Sequence, residues 1–202
     1  MRSVYVVDDD ASIRRSTAFL VRSAGYLPRA FTSSADFLNE APHLAPGVLL
    51  LDVRMPEIDG FGLVESLPAP LGDRFPIVMI TGHGDLATAV QAMRHGVRDF
   101  LEKPYEDHEL LDVVARLWDE LDLQLPLIEL RAAASEQIDR LADRERDVLI
   151  LLSAGKMNKV VAHELAISVR TVEMHRAQML ERLGVRTLAE ATRLAFAAGL
   201  IR

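Results

Sequence analysis

The chain has 202 residues, half of them hydrophobic, and a formal net charge of −7, which suits one or two packed domains and excludes a disordered acidic polypeptide. It has no cysteine, so disulfides, thiol redox chemistry and cysteine-ligated zinc are excluded, and its six histidines fall in no metal-ligand pattern. No apolar run is long enough to span a bilayer, and the first residues lead to a strand and then acids rather than to a basic segment and an apolar stretch. A cytoplasmic protein with no signal peptide and no membrane contact is therefore expected.

Residues 3–7 read as a strand closed by the acidic run Asp8-Asp9-Asp10. A helix follows over 11–23, with Asp10 as its expected N-cap and Gly25 as its left-handed stop. Further strands near 27–31, 47–52, 76–81 and 98–102 alternate with helices near 34–41, 60–67, 85–95 and 105–123, with Gly96 and four prolines punctuating the connections. Such alternation indicates βαβ units, and five of them make an α/β doubly wound five-stranded parallel sheet. In the last helix Leu110, Val113, Val114, Leu117 and Leu121 recur with helical spacing until Pro126 interrupts them. The stretch 124–134 is read as a linker in which helix can resume from Leu127. Four helices near 143–154, 158–166, 169–183 and 187–198 then form an all-α domain over 135–202. Charge divides the same way: residues 1–134 hold 12 Lys/Arg against 21 Asp/Glu, and residues 135–202 hold 11 against 9. The second part is thus mildly basic, which is too little by itself to indicate DNA binding.

Five chemically matched residues fall at or just beyond four strand ends. They are the acids Asp8 and Asp9, then Asp52 after Val48-Leu49-Leu50-Leu51, Thr81 after Ile77-Val78-Met79-Ile80, and Lys103 after Asp99-Phe100-Leu101-Glu102. Singly, Asp52 and Thr81 would be turn formers and Lys103 a solvated lysine. Together they meet at the carboxyl edge of a parallel sheet, where ligands bind in such folds. Carboxylates, a hydroxyl and an ammonium gathered there suit a Mg²⁺ (or Mn²⁺) ion and a phosphoryl group. Asp9 and Asp52 are the leading ligands, with Asp8 acting directly or through water, while Lys103 and Thr81 face phosphoryl oxygens.

Leu51-Asp52-Val53-Arg54-Met55-Pro56, Thr81-Gly82-His83-Gly84-Asp85 and Asp99-Phe100-Leu101-Glu102-Lys103-Pro104 resemble the receiver (flavodoxin-like) domain of two-component response regulators, in particular the FixJ branch of the FixJ/NarL family. The resemblance implies that Asp52 accepts a phosphoryl group from a sensor histidine kinase and that the backbone carbonyl of Arg54 completes the Mg²⁺ shell. It also implies that Arg54 and His83 flank the path of the hydrolytic water, and that Thr81 and Phe100 form the switch. Phosphorylation would then pair two receivers through Ala89, Val90, Met93, Arg94, His95, Arg98 and Asp99. A haloacid-dehalogenase-type phosphatase, the enzymatic rival, requires a second aspartate two residues after the nucleophile. Arg54 stands there instead, so the chain is not read as an enzyme beyond assisting its own phosphoryl transfer.

The helices near 158–166 and 169–183 read as a helix-turn-helix whose second helix enters the major groove. Ser168 is its expected N-cap, and Val172, Met179 and Leu183 face the core. Leu141, Arg146-Asp147-Val148-Leu149, Gly155, Asn158-Lys159, Thr171-Val172, His175 and Leu183-Gly184-Val185 resemble the LuxR-type DNA-binding domain. From that resemblance Lys159, Arg170, Thr171 and Arg176 are expected at phosphates, and Glu173, Met174 and Ala177 at bases. Glu173 could accept from a cytosine amino group and Met174 could touch a thymine methyl. The implied protein is a phosphorylation-activated regulator that forms a homodimer on double-stranded promoter DNA and works with RNA polymerase. The alternative is a DNA-binding regulator independent of phosphorylation.

Overall fold

The computed structural model describes residues 2–67, 71–82 and 86–201. Five parallel strands, β1 (Ser3–Val7), β2 (Leu27–Phe31), β3 (Gly47–Asp52), β4 (Ile77–Thr81) and β5 (Asp99–Glu102), lie in the order β2-β1-β3-β4-β5. Every residue of β1, β3 and β4 is buried, as a parallel sheet covered by helices on both faces requires. Between the strands run α1 (Ala11–Ser23), α2 (Ser34–Glu40), α3 (Gly60–Ser66) and α4 (Leu86–Arg94). One face of the sheet packs Tyr5, Val7, Leu49, Leu51 and Met79 with Phe37 of α2, Leu63 of α3 and Ala92 of α4. Within that core Phe37 stands edge-on to Phe31 and Phe75 with ring centroids 5.3 Å apart, the arrangement favoured by aromatic quadrupoles. Gly47 is required by the packing, because a Cβ there would lie 2.6 Å from the Ser3 carbonyl oxygen and 2.7 Å from the Tyr5 ring.

The interruption expected at Pro126 is corrected by α5, which runs unbroken over Asp107–Asp139 with Pro126 inside it, so that 124–134 is helical throughout and not only from Leu127. Proline removes one backbone donor and crowds the preceding turn, at a cost of about 3 kcal/mol. Here the flanking leucines, Glu129, Arg131 and the run Ala132-Ala133-Ala134 are strong helix formers. Ile128, Ala134 and Ile138 also bury their side chains. The sole tryptophan, Trp118 of α5, donates from Nε1 to the Ser3 carbonyl at 3.1 Å and so ties this helix to β1.

The chain divides into two compact units, Met1–Pro126 and Leu127–Arg202. The second holds the end of α5 together with α6 (Asp143–Ser153), α7 (Asn158–Glu164), α8 (Val169–Leu183) and α9 (Leu188–Ala197). Val148, Leu152, Val161, Ala162 and Val172 form one part of its core, and Ile138, Leu149, Met179, Leu183, Ala191 and Ala195 the other. The carboxylate of Glu145 is buried, accepting from the Ala142 amide at 3.0 Å and pairing with Arg182 Nε at 3.2 Å. The C-terminal end of α8 is thereby pinned to the start of α6. The turns before and after α8 use left-handed backbone at Ala166 and Gly184.

Candidate functional site

The strand order reverses direction between β1 and β3, so the crevice of an open α/β sheet opens at their carboxyl ends. Val7 is level with Leu51, and Asp52 with Ile80. Asp8, Asp52 and Thr81 are thus carried to one edge, all three buried. Lys103 follows β5, and its amide donates to the Thr81 carbonyl at 2.7 Å. Its ammonium bridges the two acids, lying 2.9 Å from Asp8 Oδ2 and 2.6 Å from Asp52 Oδ1. Each remaining carboxylate oxygen accepts a main-chain amide, Asp8 Oδ1 from Asp10 and Asp52 Oδ2 from Arg54. The loop after β3 closes tightly over the acid: the Gly60 amide donates to the Val53 carbonyl, and a Cβ on Gly60 would lie 2.7 Å from the Asp52 carbonyl oxygen.

Burial pushes the Asp52 carboxyl above its ordinary range, and Lys103 only partly opposes this. For Lys103 burial acts to lower the pKa, but hydrogen bonds to Asp52 and Asp8 prevail and hold it above the usual lysine value. Asp10 plays a different part, accepting from the Ser12 and Ile13 amides as the N-cap of α1. Those two amide bonds hold its carboxyl below the usual range. Asp9 is exposed and its carboxylate has no partner among the described residues. An open cleft lined by Asp9, Val53, Arg54, Pro56 and Thr81 leads to the site.

Three carboxylates against one ammonium leave two negative charges uncompensated. Among the described residues no three acidic or histidine side chains are already gathered as a cation cluster, since Lys103 sits between two of the acids. The donor set nevertheless fits a hard divalent ion, which takes few protein oxygens and keeps several waters. Asp9 offers an unengaged carboxylate, and Asp8 and Asp52 retain lone pairs beyond the bonds they make.

The other named positions fall as follows. Phe100 is half-buried against the sheet core. Ala89, Val90, Met93 and Arg94 line one shallow apolar face of α4, with Val90 and Met93 exposed. Arg98 is exposed beside β5, whereas Asp99 is paired with Arg116 of α5. His95 lies 3.1 Å from Glu65 of α3. His83 lies outside the described residues. On α8 the outer face carries Arg170, Glu173, Met174 and Ala177, with Thr171 and Arg176 half-buried and Ser168 accepting from the Thr171 amide. Lys159 is exposed on α7. His175 is half-buried. On α9, Ala191 and Ala195 are fully buried and Leu188 and Leu194 pack on the core, while Phe196 is exposed.

Sequence reasoning missed two arginines. Arg14 of α1 donates from Nη1 to the Asp8 carbonyl at 2.7 Å, and Arg182 holds the buried Glu145. Arg14 lies six residues from its partner, a distance at which helical periodicity gives no cue once the chain turns at a cap.

A 2-1-3-4-5 parallel sheet with acids and a lysine at its switch point, joined to a helix-turn-helix unit, defines a receiver carried with a DNA-binding output domain. Residues 4–115 match the response regulator receiver domain family, and residues 139–195 match the luxR family of bacterial regulatory proteins. The chain is 39% identical to the transcriptional regulatory protein FixJ of Bradyrhizobium diazoefficiens over 98% of its own length and 96% of the relative's. It is 37% identical to the C4-dicarboxylate transport transcriptional regulatory protein DctR of Rhodobacter capsulatus, over 95% and 98% of the two chains. A crystal structure of full-length FixJ from B. japonicum matches with a TM-score of 0.58 and 38% identity, covering 100% of this chain and 98% of that one. The chain belongs to the FixJ-like response regulators and is a phosphorylation-regulated transcriptional regulator. Among the described residues no helix is long and apolar enough to cross a membrane.

Proposed function

We propose that Asp52 is the phosphoacceptor and that its phosphorylation by a histidine kinase drives pairing of two chains on promoter DNA. The observation that carries this reading is the Lys103 ammonium held between the Asp8 and Asp52 carboxylates at the sheet's switch point. A carboxylate oxygen of Asp52 attacks the phosphorus of a phosphohistidine. The P–O bond forms as the P–N bond breaks, and the leaving imidazole keeps the electron pair and takes up a proton. Asp9, Asp52, the Arg54 carbonyl and Asp8 would hold a Mg²⁺ or Mn²⁺ ion, which when bound would supply charge that offsets repulsion between carboxylate and phosphoryl oxygens.

Lys103 transfers one of its contacts from Asp52 to a phosphoryl oxygen, and the Thr81 hydroxyl binds another. Movement of Thr81 vacates space for the Phe100 ring, which is already partly inside the core and has no hydroxyl to hold it at the surface. The exposed face of α4 with Ala89, Val90, Met93 and Arg94, continued by Arg98, then pairs two receivers. Pairing joins two weak DNA contacts into one strong one. Arg170, Thr171, Arg176 and Lys159 contact phosphates, and Glu173, Met174 and Ala177 face bases. RNA polymerase is the downstream partner. Residues 1–123 act as the receiver, 124–134 as the connection, here helical, and 135–202 as the DNA-binding domain.

Phosphate-affinity electrophoresis after incubation with acetyl phosphate and Mg²⁺ tests the acceptor. Wild type is expected to give one shifted band, discharged by alkali and by neutral hydroxylamine, that Asp52→Asn abolishes. A shifted band retained by folded Asp52→Asn would place the phosphate elsewhere.

A further inference from the structure

The three consecutive acids after β1 have a basic neighbour that pairs with none of them. Arg14 is half-buried on the first turns of α1, yet among the described residues its guanidinium makes no ion pair and donates instead from Nη1 to the main-chain carbonyl of Asp8 at 2.7 Å. An arginine serving only to neutralise this cluster would pair with a carboxylate, the geometry its fork prefers. This one holds the Asp8-Asp9 peptide through its carbonyl and itself occupies no carboxylate oxygen.

Its contact completes a set. The Asp8 side chain is fixed by Lys103 and by the Asp10 amide, and Asp10 is spent on capping α1 through Ser12 and Ile13. The Asp8 carbonyl is held by Arg14. Of the acidic run, only the carboxylate of Asp9 is left without a bond, and both of its flanking residues are anchored. We infer that Arg14 is a positioning residue for the divalent cation: it fixes the Asp8-Asp9 peptide so that the Asp9 carboxylate is presented without reorganisation when the ion arrives. This rests on the reading of Asp9 and Asp52 as cation ligands.

Charge and position make opposite demands, and that makes the inference testable. If Arg14 acted on the cation by charge alone, its removal would relieve repulsion and tighten binding, most strongly at low salt. If it acts by position, removal weakens binding, because groups that orient metal ligands typically govern affinity by roughly 10-fold or more. A merely structural arginine would lower the unfolding temperature of the cation-free protein and leave the dissociation constant unchanged.

The experiment is isothermal titration calorimetry of Mg²⁺ and Mn²⁺ into full-length wild type, Arg14→Met, Arg14→Lys and Asp9→Asn, without phosphodonor. Folding of each is verified by Trp118 fluorescence. Arg14→Met is expected to weaken Mg²⁺ roughly tenfold, with Arg14→Lys recovering part of the loss because one N–H donor suffices for the carbonyl. A dissociation constant in folded Arg14→Met equal to or below that of wild type would overturn the inference. Asp9→Asn separates the two layers: if it binds the cation as wild type does, the ligand assignment fails, and if it alone loses binding, only the role of Arg14 fails.

Discussion

Asp52 shows how a single residue's environment sets its chemistry. Folding raises its carboxyl pKa through burial, so the folded state prefers the protonated acid. The stability gained from that preference is fully present below the ordinary carboxylate pKa and is lost as pH rises through the folded value. At neutral pH the ionised Asp52 is therefore a net cost, which the proposed phosphoacceptor role would account for. Asp52→Asn should be more stable than wild type at pH 7 in the presence of a chelator, by about 1 kcal/mol, because it removes the buried charge while its amide oxygen still accepts from Lys103, which stays paired with Asp8. Urea unfolding followed by Trp118, the only tryptophan and a buried residue of the receiver, measures this directly. A less stable Asp52→Asn would mean that the Lys103 pair outweighs desolvation. At this scale the sequence was legible wherever residue type and strand end coincided, as for Asp8, Asp52, Thr81 and Lys103. It was silent on Arg14, whose partner is a main-chain oxygen and therefore leaves no mark in the pattern of side chains.

Elements deliver these residues, and their geometry is less forgiving than their boundaries suggest. The start of α3 approaches β3 so closely that a methyl group on Gly60 would meet the Asp52 carbonyl oxygen at 2.7 Å and the Val53 Cα at 3.1 Å. Neither atom is the end of a flexible side chain, so the loop that carries Arg54 must move. Gly60→Ala should therefore slow phosphorylation by acetyl phosphate roughly tenfold or more, since a displacement near 1 Å at a reacting group can cost about 100-fold. It should also destabilise the receiver by about 1–3 kcal/mol. Unchanged phosphorylation kinetics in that variant would show that the β3–α3 loop tolerates a shift that the account forbids.

Helical and strand periodicity placed all five strands and most helices, because parallel strands covered on both faces read as continuous apolar runs and α8 carries Val172, Met179 and Leu183 on one side. It failed at Pro126, where a local breaker was given more weight than the burial of Ile128, Ala134 and Ile138 farther along α5. The partial burial of Thr171 and Arg176 was likewise beyond what residue spacing resolves.

For the whole molecule, composition gave the first indication of two unlike parts, acidic over 1–134 and mildly basic over 135–202; the structure divides into two compact units after Pro126, eight residues earlier. The net charge of the chain, −7, concealed the second unit. The outer face of α8 presents Glu173 and Ala177 in place of further cations, so on the proposed reading a single DNA-binding unit is expected to make few phosphate contacts and show modest salt dependence. The proposed pairing of receivers would then raise affinity by linking two units. The most direct test measures oligomeric state and promoter-DNA affinity of wild type and Asp52→Asn, each with and without a beryllofluoride phosphate mimic and Mg²⁺. The account predicts that only wild type with the mimic becomes dimeric and binds at least tenfold more tightly, as expected when two weak sites are joined. Equal dimer fraction and equal affinity in all four samples would contradict it.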